Sequence, residues 1–330
     1  MKIAIIGGGW IGCHLANKLR HVHEVALFEK NTSLFTQTSY NNQNRLHLGY
    51  HYARNHPTRT LCVDTFSRFL EDYGFLTTSI DLNLYCIPLQ ESLIDYQTYK
   101  QIFNIQESAE VPTSLSNLEG CILTRERYID FAKAKEYFNR ELSRLVVTRT
   151  VDANLLASIQ NEYDVVIDAT NQHMEVKKLV DSFYELTVSF LYKKVAQVPF
   201  GALTLVDGAL FSIYPYCRDL FTLTDVEQTP IQSFGNIAQL EAYKKELADC
   251  VIDTRRLLSE NKVNKYYPQF LQHFEYAGHY LSTKVKVQSK SADRTPITTI
   301  DGNLISCFTG KIQGIYIIED FVQNEINNRT

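Results

Sequence analysis

Gly7, Gly9 and Gly12 stand between two short runs that fix what this chain can fold into. KIAII, residues 2–6, is a β-branched run suited to a strand buried on both faces. After the glycines, Ile11, Leu15 and Leu19 fall on one face of a helix, and EVALFEK then gives a second short strand in which Glu29 marks the end. Strand, glycine turn, helix, strand and acid in that order predict a dinucleotide-binding βαβ unit. Gly7 permits the tight turn, Gly9 lets backbone approach a pyrophosphate, and Gly12 lets helix pack close on strand. The helix N-terminus offers free N–H groups and a positive dipole end to phosphate. Glu29 accepts hydrogen bonds from a ribose 2′-OH and repels a 2′-phosphate, which favours FAD or NAD over NADP. The spacing alone does not separate those two.

The rest of the chain reads as two interleaved textures. The expected α/β part has a long helix over 127–145, a strand in VVTRTV, and a central parallel strand in YDVVIDATN, 163–171. From 182 to 225 the pattern changes to alternating strands, with Asp207-Gly208 as a hairpin turn. A helix over 236–260 follows from Ile237, Leu240, Tyr243, Leu247 and Val251, and then FEYAGHYLSTKVKV resumes the alternation. TPITTIDGNLISCF predicts a hairpin around Asp301-Gly302, and a closing helix ends the chain. The expected organisation is a discontinuous Rossmann-type α/β domain from 1–80, 120–180 and 288–330, with an inserted antiparallel-sheet substrate domain from 81–119 and 181–287.

Composition narrows the partners. A 45% hydrophobic chain of 330 residues can bury a large core, and a net charge of −4 offers no general attraction for nucleic acid or an anionic membrane. No apolar run is long enough for a membrane span, and three glycines interrupt the apolar N-terminus before a signal-peptide core forms. Seven scattered cysteines with no CxxC pair and no zinc-site spacing point to a reducing cytoplasm and no metal. The sequence says nothing about oligomeric state.

The segment TQTSYNNQNRLHLGYHYARN, 36–55, resembles the turn after the second strand in the D-amino-acid oxidase superfamily of flavoproteins. Thr38, Ser39, Asn42, His47, Gly49 and Tyr52 make it similar to L-2-hydroxyglutarate oxidase-like members, and Arg45 to an arginine of sarcosine-oxidase-like ones. DRTPITTIDGNLISCFTGKIQGIYIIEDFV, 293–322, and VVIDATN, 165–171, resemble the family's closing unit and its strand before a small-residue turn, with Asn171 where glycine is usual. The resemblance implies FAD as cofactor. It places Gly7, Gly9, Trp10, Ile11, Gly12, Glu29, Lys30, Thr38, Ser39, Asn42, Arg45, Leu46, Ala169, Thr170 and Asn171 along the dinucleotide. It sets Gly310, Lys311, Ile312, Gln313 and Gly314 against the flavin's N1–C2=O end, where N–H groups stabilise developing charge.

An FAD-dependent oxidase or dehydrogenase is therefore expected, taking hydride to flavin N5 from a C–N or C–O bond of a small, anionic substrate: an amino acid, amine, hydroxy acid or sugar derivative. Oxidation of an alcohol requires a base for the hydroxyl proton, and His47 is the candidate. His51 neighbours it whether the segment is extended or helical. Arg294 is the candidate to hold an anionic group and Tyr214 to contact substrate, and Arg45 stands with them among the candidate catalytic residues. Two alternatives stand beside this reading. A sugar-nucleotide enzyme using reduced FAD without net redox needs an arginine-rich site, and the sheet domain supplies only Arg218, Arg255 and Arg256, which argues against it. A degenerate FAD-binding scaffold is the other.

Overall fold

The computed structural model describes residues 1–174, 181–288 and 293–329. In chain order its first strands are β1 (Lys2–Ile6), β2 (Glu24–Glu29), β3 (Arg45–Leu46), β4 (Thr77–Ser79), β5 (Asn83–Pro88), β6 (Leu118–Leu123), β7 (Arg127–Ile129), β8 (Val146–Thr148) and β9 (Val165–Asp168). There follow β10 (Ser182–Lys194), β11 (Ala202–Leu205), β12 (Phe211–Cys217), β13 (Leu220–Asp225), β14 (Pro230–Phe234), β15 (Phe274–Val287), β16 (Ile297–Asp301) and β17 (Leu304–Phe308). The helices are α1 (Trp10–Leu19), α2 (His56–Tyr73), α3 (Tyr96–Ile102), α4 (Phe131–Glu141), α5 (Ala153–Glu162), α6 (Ile237–Glu246), α7 (Asp249–Tyr266), α8 (Phe270–His273) and α9 (Ile315–Asn327).

The first sheet has the order β16-β17-β9-β1-β2-β8, parallel except for the β16 edge. Central β1 is flanked by both neighbours in register, Ile5 opposite Leu27 and Ile167, which is why its residues are apolar on both faces. Helix α1 packs Ile11, Leu15 and Leu19 into the core, and Trp10 sits edge-on to Phe35 and Phe138 at 5.0 and 5.5 Å. The second sheet runs β14-β10-β13-β12-β11-β5-β6, with β15 also paired to β10 over its whole length. A third, β3-β7-β4, joins three strands of only two or three residues each. The mixed α/β architecture expected from the sequence is present, and the Asp207-Gly208 and Asp301-Gly302 turns connect antiparallel neighbours.

Two of these expectations need correction, and the pairing of β5 with β6 adds two features that the sequence did not signal. Residues 127–129 form β7 instead of opening a helix, because they pair with β3 and β4 on either side; Asp130 then caps α4 by accepting from the Lys133 amide. The helix expected over 236–260 is two: Leu247 and Ala248 are extended, and α7 runs on to Tyr266. Position 120, taken as a domain boundary, lies inside β6, which pairs with β5 in the second sheet. That pairing also sets Cys86 opposite Cys121, Cα atoms 4.1 Å apart, as a disulfide that a 35-residue spacing does not signal and a reducing-compartment reading did not anticipate. Among the described residues no helix is long and apolar enough to cross a membrane.

Candidate active site

Strands β1, β2 and β9 end together, and a cleft of about 1080 Å³ opens outside their carboxyl ends, between the first and second sheets. The glycine turn forms one wall. Gly7 has φ +108° and donates to the Phe28 carbonyl; a Cβ there would lie 2.9 Å from the Ala169 oxygen. A Cβ on Gly12 would collide with the Gly7 carbonyl, so Gly12 is a packing position outside the cleft. Gly9 borders the cleft at the α1 N-terminus, and a Cβ there would come within 2.8 Å of Ser39 Oγ, which accepts from the Trp10 amide. The cradle and its first-turn amides fit a pyrophosphate.

Glu29 does two jobs. One carboxylate oxygen accepts the Gly8 N–H at 2.7 Å, the other the Asn31 amide and side chain at 2.9 Å, so it shapes the turn while facing the cleft with lone pairs to spare for a ribose. Lys30, Thr38, Ser39, Asn42, Ala169, Thr170 and Asn171 also line the cleft. Thr38 donates to the Thr283 carbonyl, tying this loop to β15, and Asn42 bridges Thr38 and Asn44. Asn171 has φ +56°, a conformation that asparagine tolerates, and its side chain accepts from the Thr309 amide; this is why it can stand where a glycine is usual. These residues fit an adenine dinucleotide.

At the opposite end of the closing unit, Gly310, Lys311 and Ile312 line the cleft, whereas Gln313 and Gly314 do not. Gln313 turns inward and is fully buried. Its carboxamide accepts from the His47 N–H and donates to the His47 and Cys62 carbonyls, clamping the candidate base. Leu46 is likewise core, and Tyr214 is buried behind the cleft with its ring 3.9 Å under the Arg45 guanidinium. Tyr214 therefore positions Arg45 and does not itself reach the cleft.

His47, His51, Arg45 and Arg294 all border the cleft. The His47 and His51 rings are 6.3 Å apart. Burial, reinforced by the Lys311 and Arg45 cations and opposed by Glu126, pulls the His47 pKa down to about 4. Burial likewise holds His51 well below the ordinary value, so both rings are neutral at pH 7. Behind His47 lies Glu126, which the sequence reading missed. Its Oε1 accepts from the Leu48 N–H at 2.7 Å, and Oε2 accepts from the Tyr85 hydroxyl at 2.6 Å and stands 3.5 Å from His47 Nδ1. Burial alone would raise its pKa, but His47, Tyr85 and Leu48 outweigh burial and hold it at about 2. Arg45 gives Nη1 to Thr204 Oγ1 at 3.0 Å, while Nε and Nη2 are buried without a protein partner among the described residues. Lys284, also missed, lies on β15 in the same wall, its pKa lowered to about 8 by burial and by neighbouring cations. Eight basic and four acidic side chains line the cleft, although the chain as a whole is acidic.

The sequence model of the family described as FAD dependent oxidoreductase matches residues 2–172. An FAD-dependent monooxygenase of Fusarium mangiferae, FPY4, is 35% identical over an alignment of 344 residues that takes in 100% of this chain and 92% of the relative. The FAD-dependent monooxygenase kojA of Aspergillus flavus is 23% identical, with 99% and 86% covered. The fold is similar to that of glycine oxidase from Geobacillus kaustophilus, with a TM-score of 0.70, 13% identity, and 100% and 95% of the two chains covered. It is similar also to L-α-glycerophosphate oxidase from Mycoplasma pneumoniae, with a TM-score of 0.67, 14% identity, and 97% and 92% covered.

Proposed function

This chain belongs to the FAD-dependent oxidoreductase family, and on that footing we propose that it oxidises a carbon–oxygen bond of a small anionic substrate, with His47 as base. One observation carries the reading: a buried, neutral histidine faces the cleft with a carboxylate set behind it. Bound FAD supplies the two-electron acceptor, held along the glycine turn, Glu29 and the 310–312 loop. A neutral amine needs no base to surrender its electrons, whereas a hydroxyl does. With Nδ1 turned to Glu126, His47 takes the hydroxyl proton at Nε2, and the charge it gains is offset by Glu126 rather than left bare in a buried site. Tyr85 and the Leu48 amide fix the carboxylate so that it cannot swing away.

Arg45 holds the anionic group. Its stacking on Tyr214 and its bond to Thr204 fix the plane and leave free the Nε/Nη2 edge, the side-on fork that takes a planar carboxylate in two parallel bonds. Arg294 and Lys311 add positive potential along the same wall. In this reading the first and third sheets carry the cofactor and the second carries the substrate.

Anaerobic mixing with hydroxy and amino compounds of the same carbon skeleton tests it. Bleaching of the flavin by the hydroxy member alone supports the reading; bleaching by the amino member alone defeats it. A second reading, oxygen insertion, is favoured by the name of the 35%-identical relative. Turnover under ¹⁸O₂ separates the two, since simple C–O oxidation leaves no label in the organic product.

A further inference from the structure

The second sheet has an unusual face. Alternation along its strands puts Leu203, Ile213, Leu223, Phe190 and Val188 on one side, in the apolar core beneath α7. The other side carries hydroxyls in cross-strand register: Thr204 opposite Ser212, Ser212 opposite Thr224, Thr187 opposite Ser282. A polar sheet face is ordinarily turned to water. This one is buried, with Thr187, Ser189, Thr204, Ser212 and Ser282 each at 5% exposure or less, and Ser189, Ser212, Thr224 and Ser282 from it line the cleft.

We propose that this face is the recognition surface for a polyhydroxylated carboxylate, a sugar acid, a reading that rests on the anionic C–O substrate assigned above. Hydroxyl pairs at 2.8 and 3.0 Å, and Gln43 reaching Ser212 and Thr222 at 3.2 Å, orient the row. Each hydroxyl still has donor or acceptor capacity beyond those bonds. Strand propensity accounts for threonines on a sheet, but not for serines at three of the four hydroxyl positions on these strands that line the cleft, Ser189, Ser212 and Ser282 beside Thr224. An apolar substrate lying there would leave these groups dry and poorly paired, which is costly. The second observation is Arg45: its bond to Thr204 sets the free Nε/Nη2 fork at one end of the row, so carboxylate and hydroxyl recognition are contiguous.

The test uses the FAD-loaded protein with its flavin reduced beforehand under anaerobic conditions, so that no hydride transfer can follow, and reads binding from the perturbation of the flavin spectrum by D-gluconate and by 2-hydroxybutyrate, which share a carboxylate and a 2-hydroxyl. Gluconate should bind at least tenfold more tightly, about the factor that one or two added hydrogen bonds supply. In Ser212→Ala that ratio should fall toward one. Should the Ser212 variant lose FAD, Ser189→Ala reads the same ratio from the neighbouring strand. Equal affinities in the unaltered protein, no binding of gluconate, or a ratio untouched by the substitutions would overturn the proposal. Loss of the C–O reading shows separately, in the bleaching experiment, where the amino compound would take the place of the hydroxy compound.

Discussion

Gly9 and Gly12 are three residues apart and carry different loads. Gly12→Ala drives a methyl into the Gly7 carbonyl, an atom of backbone that cannot step aside, so helix and strand must separate. The expected result is a loss of about 3 kcal/mol or more in a urea melt, alongside the cofactor. Gly9→Val meets only the movable Ser39 side chain and blocks the approach of pyrophosphate; it should fold, yet purify without FAD. A Gly9→Val protein carrying a full complement of flavin would sink the cradle assignment. Both glycines and Glu29 could be singled out from local spacing, and His47 from its place in a segment that resembles a flavoprotein family. Glu126 could not. Its partners Leu48 and Tyr85 come from other segments, 78 and 41 residues away, and nothing around position 126 marks it as other than a surface acid.

At the scale of elements, the closing unit is a clamp on the His47 segment. Gln313 joins it to the segment after β3 and to α2 through three hydrogen bonds, two of them on the backbone of His47. Gln313→Ala leaves those buried groups unpaired and should cost about 2–4 kcal/mol in chemical denaturation. It should also slow flavin reduction, since His47 loses its fixed backbone; an unaltered rate would show that the base does not depend on the clamp. Element boundaries were less legible than elements. The 236–260 periodicity is real, but Leu247 keeps its apolar position while its backbone becomes extended, because it packs into two clusters at once. Periodicity records which side a residue faces and not whether the helix between two such residues is continuous. At 127–129 the strand is three residues long and supported wholly by tertiary pairing, a signal that local propensity does not contain.

For the whole molecule, the buried histidines set the response to acid. Burial lowers the pKa of His14 and of His51, and with the Lys311 and Arg45 cations that of His47, all below the value of 6.5 that an unfolded chain restores. As pH falls below 6.5 the unfolded chain takes up protons that the fold refuses, so stability declines on acidification, by at most about 4 kcal/mol per pH unit for three such groups. Glu126, held at about 2, adds to the loss below pH 4.5. Urea midpoints at pH 7, 6 and 5 should descend in that order; a flat or rising series would mean that these rings are charged in the folded protein. The two-texture organisation was visible in the sequence because parallel and alternating strands have different residue patterns. The positive lining of the cleft was not, because it is assembled from four separated stretches of a chain that is acidic overall.

The central claim is that neutral His47, backed by Glu126, takes the substrate proton. The most direct measurement is the pH dependence of anaerobic flavin reduction at low substrate, in the unaltered protein and in His47→Asn. The unaltered protein should hold its rate from neutrality down to about pH 5 and lose it with a midpoint near 4, where His47 protonates. His47→Asn should keep its FAD, reduce at least about 100-fold more slowly, and show no limb near pH 4. A His47→Asn protein that retains FAD and is reduced at the unaltered rate, with the same pH profile, would contradict the account.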